Sequence, residues 1–334
     1  MGSYLAAITR RQPGSILGSV SLGRFAKGGG VVWIVIAVLF IYTAVAEPRF
    51  RTEANLSSLS RQAVVLSLVA LAQYLVVLGE GIDLSVGSVV KLTSILAAVI
   101  MDGSDSNLVL GILAAVGVGA VCGAVNGVLI AYVRIAPFIA TLGTLALIRG
   151  VALTITAIPA GRTSPWLVDF YGRKIGWFFH AVLLTITLWI VAGIIVRYTR
   201  AGRQLVATGD NEQVARLGGV RIRLVRLIVY TVAGVLSAVA GLMTVARSGV
   251  GDPNAGFGLE FEALAAVVIG GISLAGGRGS LIGALGGAVL FAMIGNTFNI
   301  LGVEVWYQQL LKGLIILLAA SLYIGSRRSQ HEPN

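Results

Sequence analysis

Cysteine and histidine are nearly missing from these 334 residues, and charge is scarce. The lone cysteine, Cys122, lies inside an apolar run, so neither an intrachain disulfide nor a cysteine metal site can form. The two histidines, His180 and His331, fall at the edge of an apolar run and near the last residue, too unlike in setting to suggest a metal site or a catalytic dyad. No Gly-x-x-x-x-Gly-Lys-Ser/Thr occurs and no lysine follows a glycine, so the chain supplies no P-loop and hydrolyses no ATP itself. A Gly-x-Ser-x-Gly elbow, a His-Glu-x-x-His helix and a Cys-x-x-Cys pair are equally absent, which argues against an intramembrane enzyme. Charged residues make up only 12% of the chain, about half the share of a soluble domain.

Apolar side chains fill the space, at 57% of residues and a mean hydropathy of +0.91. They gather in runs at roughly 31–46, 63–78, 84–101, 108–133, 136–158, 178–196, 227–246, 263–275, 281–301 and 305–324. A span needs about 20 residues, so the first and eighth runs are short and read as tilted, re-entrant or extended by their flanks. The expected fold is therefore an all-α polytopic transmembrane bundle of about ten spans. A net charge of +11 and a pI near 10.3 would suggest nucleic acid in a soluble protein. Here the basic residues sit at the ends of apolar runs, where they set orientation, and no nucleic-acid role is expected. Ten alternating spans with both termini in the cytoplasm put Arg134, the seven arginines from Arg197 to Arg226 and Arg278 inside. Arg49, Arg51, Arg61, Arg162, Arg173, Lys174 and Arg247 run against that bias. Ala44-Val45-Ala46 resembles a signal-peptidase site, but the long leader before the first run argues against cleavage.

The expected domain plan is a cytoplasmic tail over 1–30, a transmembrane domain over 31–326 with a cytoplasmic loop at 197–226, and a cytoplasmic tail over 327–334. Small residues recur every fourth position at Gly111, Ala115, Gly119, Gly123 and Gly127, and again at Gly279, Gly283 and Gly287, the spacing that lets membrane helices approach closely. The long polar loop holds Asp210-Asn211-Glu212 ahead of Val214, Ala215 and Leu217. Asp210 or Asn211 can cap a short amphipathic helix there, one with too little apolar surface to fold alone, so that it needs a partner surface or anionic headgroups.

The segment from Gly79 to Ser88, Gly-Glu-Gly-Ile-Asp-Leu-Ser-Val-Gly-Ser, sets two acids and three glycines between apolar runs and predicts a broken or re-entrant helix. A carboxylate near the bilayer centre costs about 2.5 to 3.5 kcal/mol, so Asp83 must face protein or water, or cap a half-helix through the Ser85 or Val86 N–H. A half-helix N-terminus aimed at a polar substrate is the functional alternative. Asn126, on the first small-residue stripe, and Thr141, after the Pro137 helix start, must find partners inside the bundle. With Asp83 and Ser85 they are the candidates for a translocation path.

Four blocks carry a resemblance. They are Gly81 to Ser88, Asn126 to Ile130 continuing through Pro137 to Gly143, Ala207 to Asn211 with Ala215 to Val220, and Gly270 to Ser280. In this order they resemble the ribose-type permease family of bacterial ABC sugar importers. Glu80, Val214, Gly218 and Ile272 depart from the family pattern. The resemblance implies the transport subunit of an importer in the bacterial inner membrane, working as a dimer with a second copy or a paralogue. It implies cytoplasmic ATPase subunits that bind ATP and Mg, a periplasmic or lipid-anchored sugar-binding protein, and no cofactor on this chain. Gly209, Asp210, Asn211, Ala215, Arg216, Leu217 and Gly219 would then couple to the ATPase. Ribose leads among the sugars. A branched-chain amino-acid permease is the alternative within the class, and a self-sufficient secondary transporter the alternative outside it, with Glu80 and Asp83 as its only candidate coupling charges.

Overall fold

The computed structural model describes residues 29–314 and 317, so nearly all of both tails lies outside the described residues. The described chain is helical apart from a two-residue hairpin, β1 (Lys174–Ile175) with β2 (Phe178–Phe179). In order come α1 (Gly30–Ala46), α2 (Glu53–Leu78), α3 (Val86–Met101), α4 (Leu108–Val128), α5 (Pro137–Ile155), α6 (Pro165–Gly172) and α7 (His180–Tyr198). They continue with α8 (Arg200–Asp210), α9 (Glu212–Leu217), α10 (Ile222–Ser248), α11 (Leu259–Ile269) and α12 (Leu281–Ile300). A last helix, α13, starts at 305 and is described to 314. Local chemistry sets several starts. The Thr52 hydroxyl accepts the Asn55 N–H at 3.3 Å, Pro137 opens α5, and the Ser280 hydroxyl accepts the Gly283 N–H at 3.0 Å.

The apolar runs within the described residues carry helices, but they are not equal. Among the described residues six helices have the length and composition to cross a membrane, α1 and α3 are shorter apolar helices, and α11 has 11 residues. At 1.5 Å per residue α11 covers only about 16 Å, roughly half of a hydrocarbon core. Irregular backbone flanks it on both sides, at 249–258 and from Gly270 to Ser280.

The long helices α2 and α10 lie side by side at the centre, and the rest is arranged about them in a matching way. As α10 packs on α3 and α4, so α2 packs on α11 and α12. Both glycine stripes are spent on this packing. A Cβ added to Gly123 would meet the Thr231 backbone of α10 at 2.9 Å, and one on Gly287 would meet the Ala266 backbone of α11 at 2.6 Å. Between these pairs two helix breaks meet. The segment 79–85 leads from α2 into α3, and 249–258 leads from α10 into α11. Gly87 and Gly256 touch backbone to backbone, where a Cβ on Gly87 would lie 2.6 Å from the Gly256 carbonyl oxygen.

Candidate functional site

Asp83 is buried, and one of its carboxylate oxygens accepts both the Ser85 N–H at 2.8 Å and the Ser85 hydroxyl at 2.7 Å. The helix itself starts three residues after the expected cap, at Val86, so Asp83 closes an Asx-type turn ahead of it. From there a chain of bonds crosses the bundle. The Asn126 amide donates to the Ser85 hydroxyl at 2.8 Å, and the Thr144 hydroxyl donates to the Asn126 carbonyl at 2.7 Å. Beside it the Ile82 carbonyl accepts the Thr141 hydroxyl at 3.2 Å and the Tyr230 hydroxyl at 3.3 Å. Asp83, Ser85, Asn126 and Thr141 are thus brought together at one helix break, and all four are buried. Three elements, α4, α5 and α10, are tied to the break by these bonds. Thr144 and Tyr230 were not singled out from sequence, because a hydroxyl in an apolar helix carries no sign of which neighbour it will face.

Glu80 sits apart from the knot. It is exposed, at a left-handed φ of 65° that disfavours every residue with a Cβ. It borders a polar hollow of about 1070 Å³ together with Arg134, Glu212, Arg216 and Arg226.

That hollow is bordered by α9 and the start of α10; α9 and α8 before it are the helices of the long basic loop. The Asn211 side chain caps α9 by accepting the Val214 N–H at 3.1 Å. Glu212 accepts from Arg216 at 2.5 Å and from Arg226 of α10 at 2.8 Å. Burial pushes the Glu212 carboxyl up, but the two guanidiniums outweigh it and hold it below the usual range. Ala215 is buried, Leu217 is 90% exposed, and Gly219 ends the helix in a turn at φ 80°. Gly209 presses against the Leu78 carbonyl at the end of α2, with no room for a Cβ, and the Gly277 N–H donates to that same carbonyl at 2.9 Å. Asp210 pairs with Arg278 at 3.3 Å. The residues expected to couple therefore divide. Gly209, Asp210 and Ala215 bind α8 and α9 to the bundle, Asn211 and Arg216 hold α9 in shape, and Leu217 faces outward without cover.

At the opposite end of α10 the loop ahead of α6 and the 249–258 segment are joined to each other. Ala160 and Gly251 exchange backbone bonds of 2.9 and 3.0 Å, and the Thr163 N–H donates to the Gly249 carbonyl at 2.9 Å. Ser164, for all its polar surroundings, is buried and donates to Asp105.

A bundle of apolar helices with two central breaks, one of them joined to an exposed helical lever, is the plan of a multi-pass transport permease. The chain belongs to the family described as branched-chain amino acid transport system / permease component, which it matches over residues 55–320. It is similar to the ribose import permease protein RbsC of Escherichia coli (strain K12), 39% identical over 297 residues, covering 86% of this chain and 90% of the relative. The RbsC of Bacillus subtilis (strain 168) is 38% identical over 291 residues, covering 85% and 89%. The autoinducer 2 import system permease protein LsrC of Salmonella paratyphi B is 35% identical over 291 residues, covering 85% and 82%. No solved structure matches the chain.

Proposed function

We propose that this chain is the membrane-spanning subunit of an ATP-driven importer that brings a monosaccharide, ribose foremost, across the bacterial inner membrane. The observation that carries the mechanism is the contact of Gly209 with Leu78, because it joins α8 and α9 directly to the break that Asp83 holds. In this reading α8 and α9 lie in the cytoplasm beside both termini, and Leu217 docks on an ATPase subunit that binds ATP and Mg. ATP binding closes the ATPase pair, the closure moves α9, and Gly209 passes the displacement to Leu78. The 79–85 segment then moves as one body with α3 and α4, since the bonds from Asp83 to Asn126 leave it no independent freedom. A second permease copy or paralogue completes the path, and an external binding protein delivers the sugar to the opposite end. The permease contributes only a difference in affinity between two states, and the energy comes from its partner.

Replacing Leu217 by Asp tests the lever. Sugar-stimulated ATP turnover in the assembled complex should be lost while the permease stays in the membrane, and normal coupling in that variant would remove α9 from the mechanism. The description of the matched family favours a second reading, uptake of branched-chain amino acids. Labelled ribose and labelled leucine offered to the reconstituted complex decide between the two, and uptake of leucine alone would reverse the proposal.

A further inference from the structure

A second polar hollow lies at the end remote from α8 and α9, and no part of the lever mechanism uses it. It encloses about 350 Å³ between α2, α10, the 249–258 segment, α11, α12 and the start of α13. Its floor is closed by Leu66 and Phe291, both buried. On its wall the Lys312 ammonium donates to the Glu262 carboxylate at 2.7 Å, with only 21% and 20% of the two side chains exposed. Across from them stand Asp252, Asn254, Gln62 and Arg247. Gly295 faces Lys312 without a side chain, and a Cβ there would lie 3.9 Å from the ammonium, so the space beside the ion pair is kept open.

Two features of this wall point to a ligand. An ion pair withdrawn from water holds helices together no better than two apolar side chains would, so α11 and α13 gain nothing in adhesion from carrying charge here. The charges also balance, Lys312 and Arg247 against Glu262 and Asp252, which gives dense donors and acceptors without a net field. A neutral polyhydroxylated molecule requires that combination, because each hydroxyl both donates and accepts. The volume lies at the small end of ligand pockets and suits one monosaccharide.

We propose that this hollow is an outward monosaccharide subsite within the single chain, a waypoint between delivery from outside and the central breaks. The inference rests on the sugar reading above. Ring hydroxyls bridge Glu262 and Lys312, Asn254 and Gln62 fix orientation, and the Phe291 floor stops the sugar until the breaks move. Asp252 shapes the 249–258 segment by accepting the Asn254 N–H at 2.8 Å, so occupancy of the hollow is felt at the second break.

The test uses the full chain in membrane vesicles, with Cys122→Ser as background and Asn254→Cys as the single target of an impermeant maleimide. Ribose at tens of millimolar should slow labelling several-fold, while raffinose at equal osmolarity should not. Glu262→Gln combined with Lys312→Met should abolish the protection, and labelling of Trp177→Cys, on the exposed hairpin, should be the same with and without that pair, reporting an intact fold. If ribose leaves the labelling rate unchanged although the assembled transporter imports ribose, the subsite is wrong and the importer reading stands. Protection by leucine and not by ribose, with leucine imported, overturns both.

Discussion

Before α3 the chain turns through 79–85 with Asp83 and Ser85 buried, whereas before α11 it turns through 249–258 with Asn254 and Phe257 in the open. The two segments start alike. Each follows one of the two longest helices, and each closes on an aspartate that accepts the N–H two residues on, Asp83 from Ser85 and Asp252 from Asn254, both at 2.8 Å. They end differently. The first is bound through the Ser85 side chain to α4 and through the Ile82 carbonyl to α5 and α10, while the second is held mainly by its backbone, at Ala160 and Gly87. One break is a rigid joint next to the lever, and the other is an adjustable segment beside a polar hollow. A transporter needs both, because force must arrive at a joint that does not yield and cargo must be met by a surface that does.

The largest effect is expected where the breaks touch. Gly87→Val would drive a side chain into the Gly256 carbonyl and the Glu260 carboxylate, costing about 3 kcal/mol or more, and should leave little folded protein after detergent extraction. A variant that extracts and melts like the parent would show that the two breaks are not in contact.

Next come the aspartates. Asp83→Ala leaves a buried N–H and hydroxyl without their acceptor and should cost about 1 to 3 kcal/mol, while Asp252→Ala, where water can replace the lost acceptor, should cost about 0.5 to 1 kcal/mol. Melting temperatures in one detergent give the ratio, and equal losses would erase the distinction between rigid and adjustable breaks. Asp83→Asn sharpens it further, since an amide oxygen still accepts the Ser85 N–H. That variant should fold and transport nearly as the parent does. If it transports as poorly as the alanine variant while still docking its ATPase, the charge itself takes part in permeation.

The smallest effect is a gain. Glu80→Gly relieves a left-handed strain of roughly 1 to 2 kcal/mol, less the entropy that glycine loses on folding, for a net gain of about 0.5 to 1 kcal/mol. A lower melting temperature would show that Glu80 earns its position through contacts at the polar hollow it borders.

How far these features were legible in sequence follows from the range of the interactions. The Asp83 turn and the Asn211 cap are local, two and three residues long, and their residue types announce them. The apolar runs within the described residues became helices for the same reason. The partner of Asn126 was hidden, because Thr144 lies 18 residues away on another helix and any hydroxyl there would read alike. The second break was hidden more thoroughly. Its Gly, Pro and Asn residues have the composition of an ordinary surface turn, and only contact with Gly87, far away in sequence, shows that it reaches into the bundle. Glu80 illustrates a departure noted without a cause. Its φ of 65° is one that glycine fills without strain and a residue with a Cβ does not.

The contact between Gly87 and Gly256 also has a genetic consequence. When a bulky residue damages a packed pair, reversion commonly comes from shrinking its neighbour, but here the neighbour is already glycine, and at φ 76° it is a position that only glycine fills without strain. No compensating substitution exists at Gly256, and shortening Glu260, the other residue a Cβ on Gly87 would meet, leaves the clash with the Gly256 backbone in place. Second-site suppressors of a lesion at Gly87 should therefore fall outside the contact, at residues that set how α3 and α11 lean, and the map of such suppressors would trace the axis about which the two breaks turn.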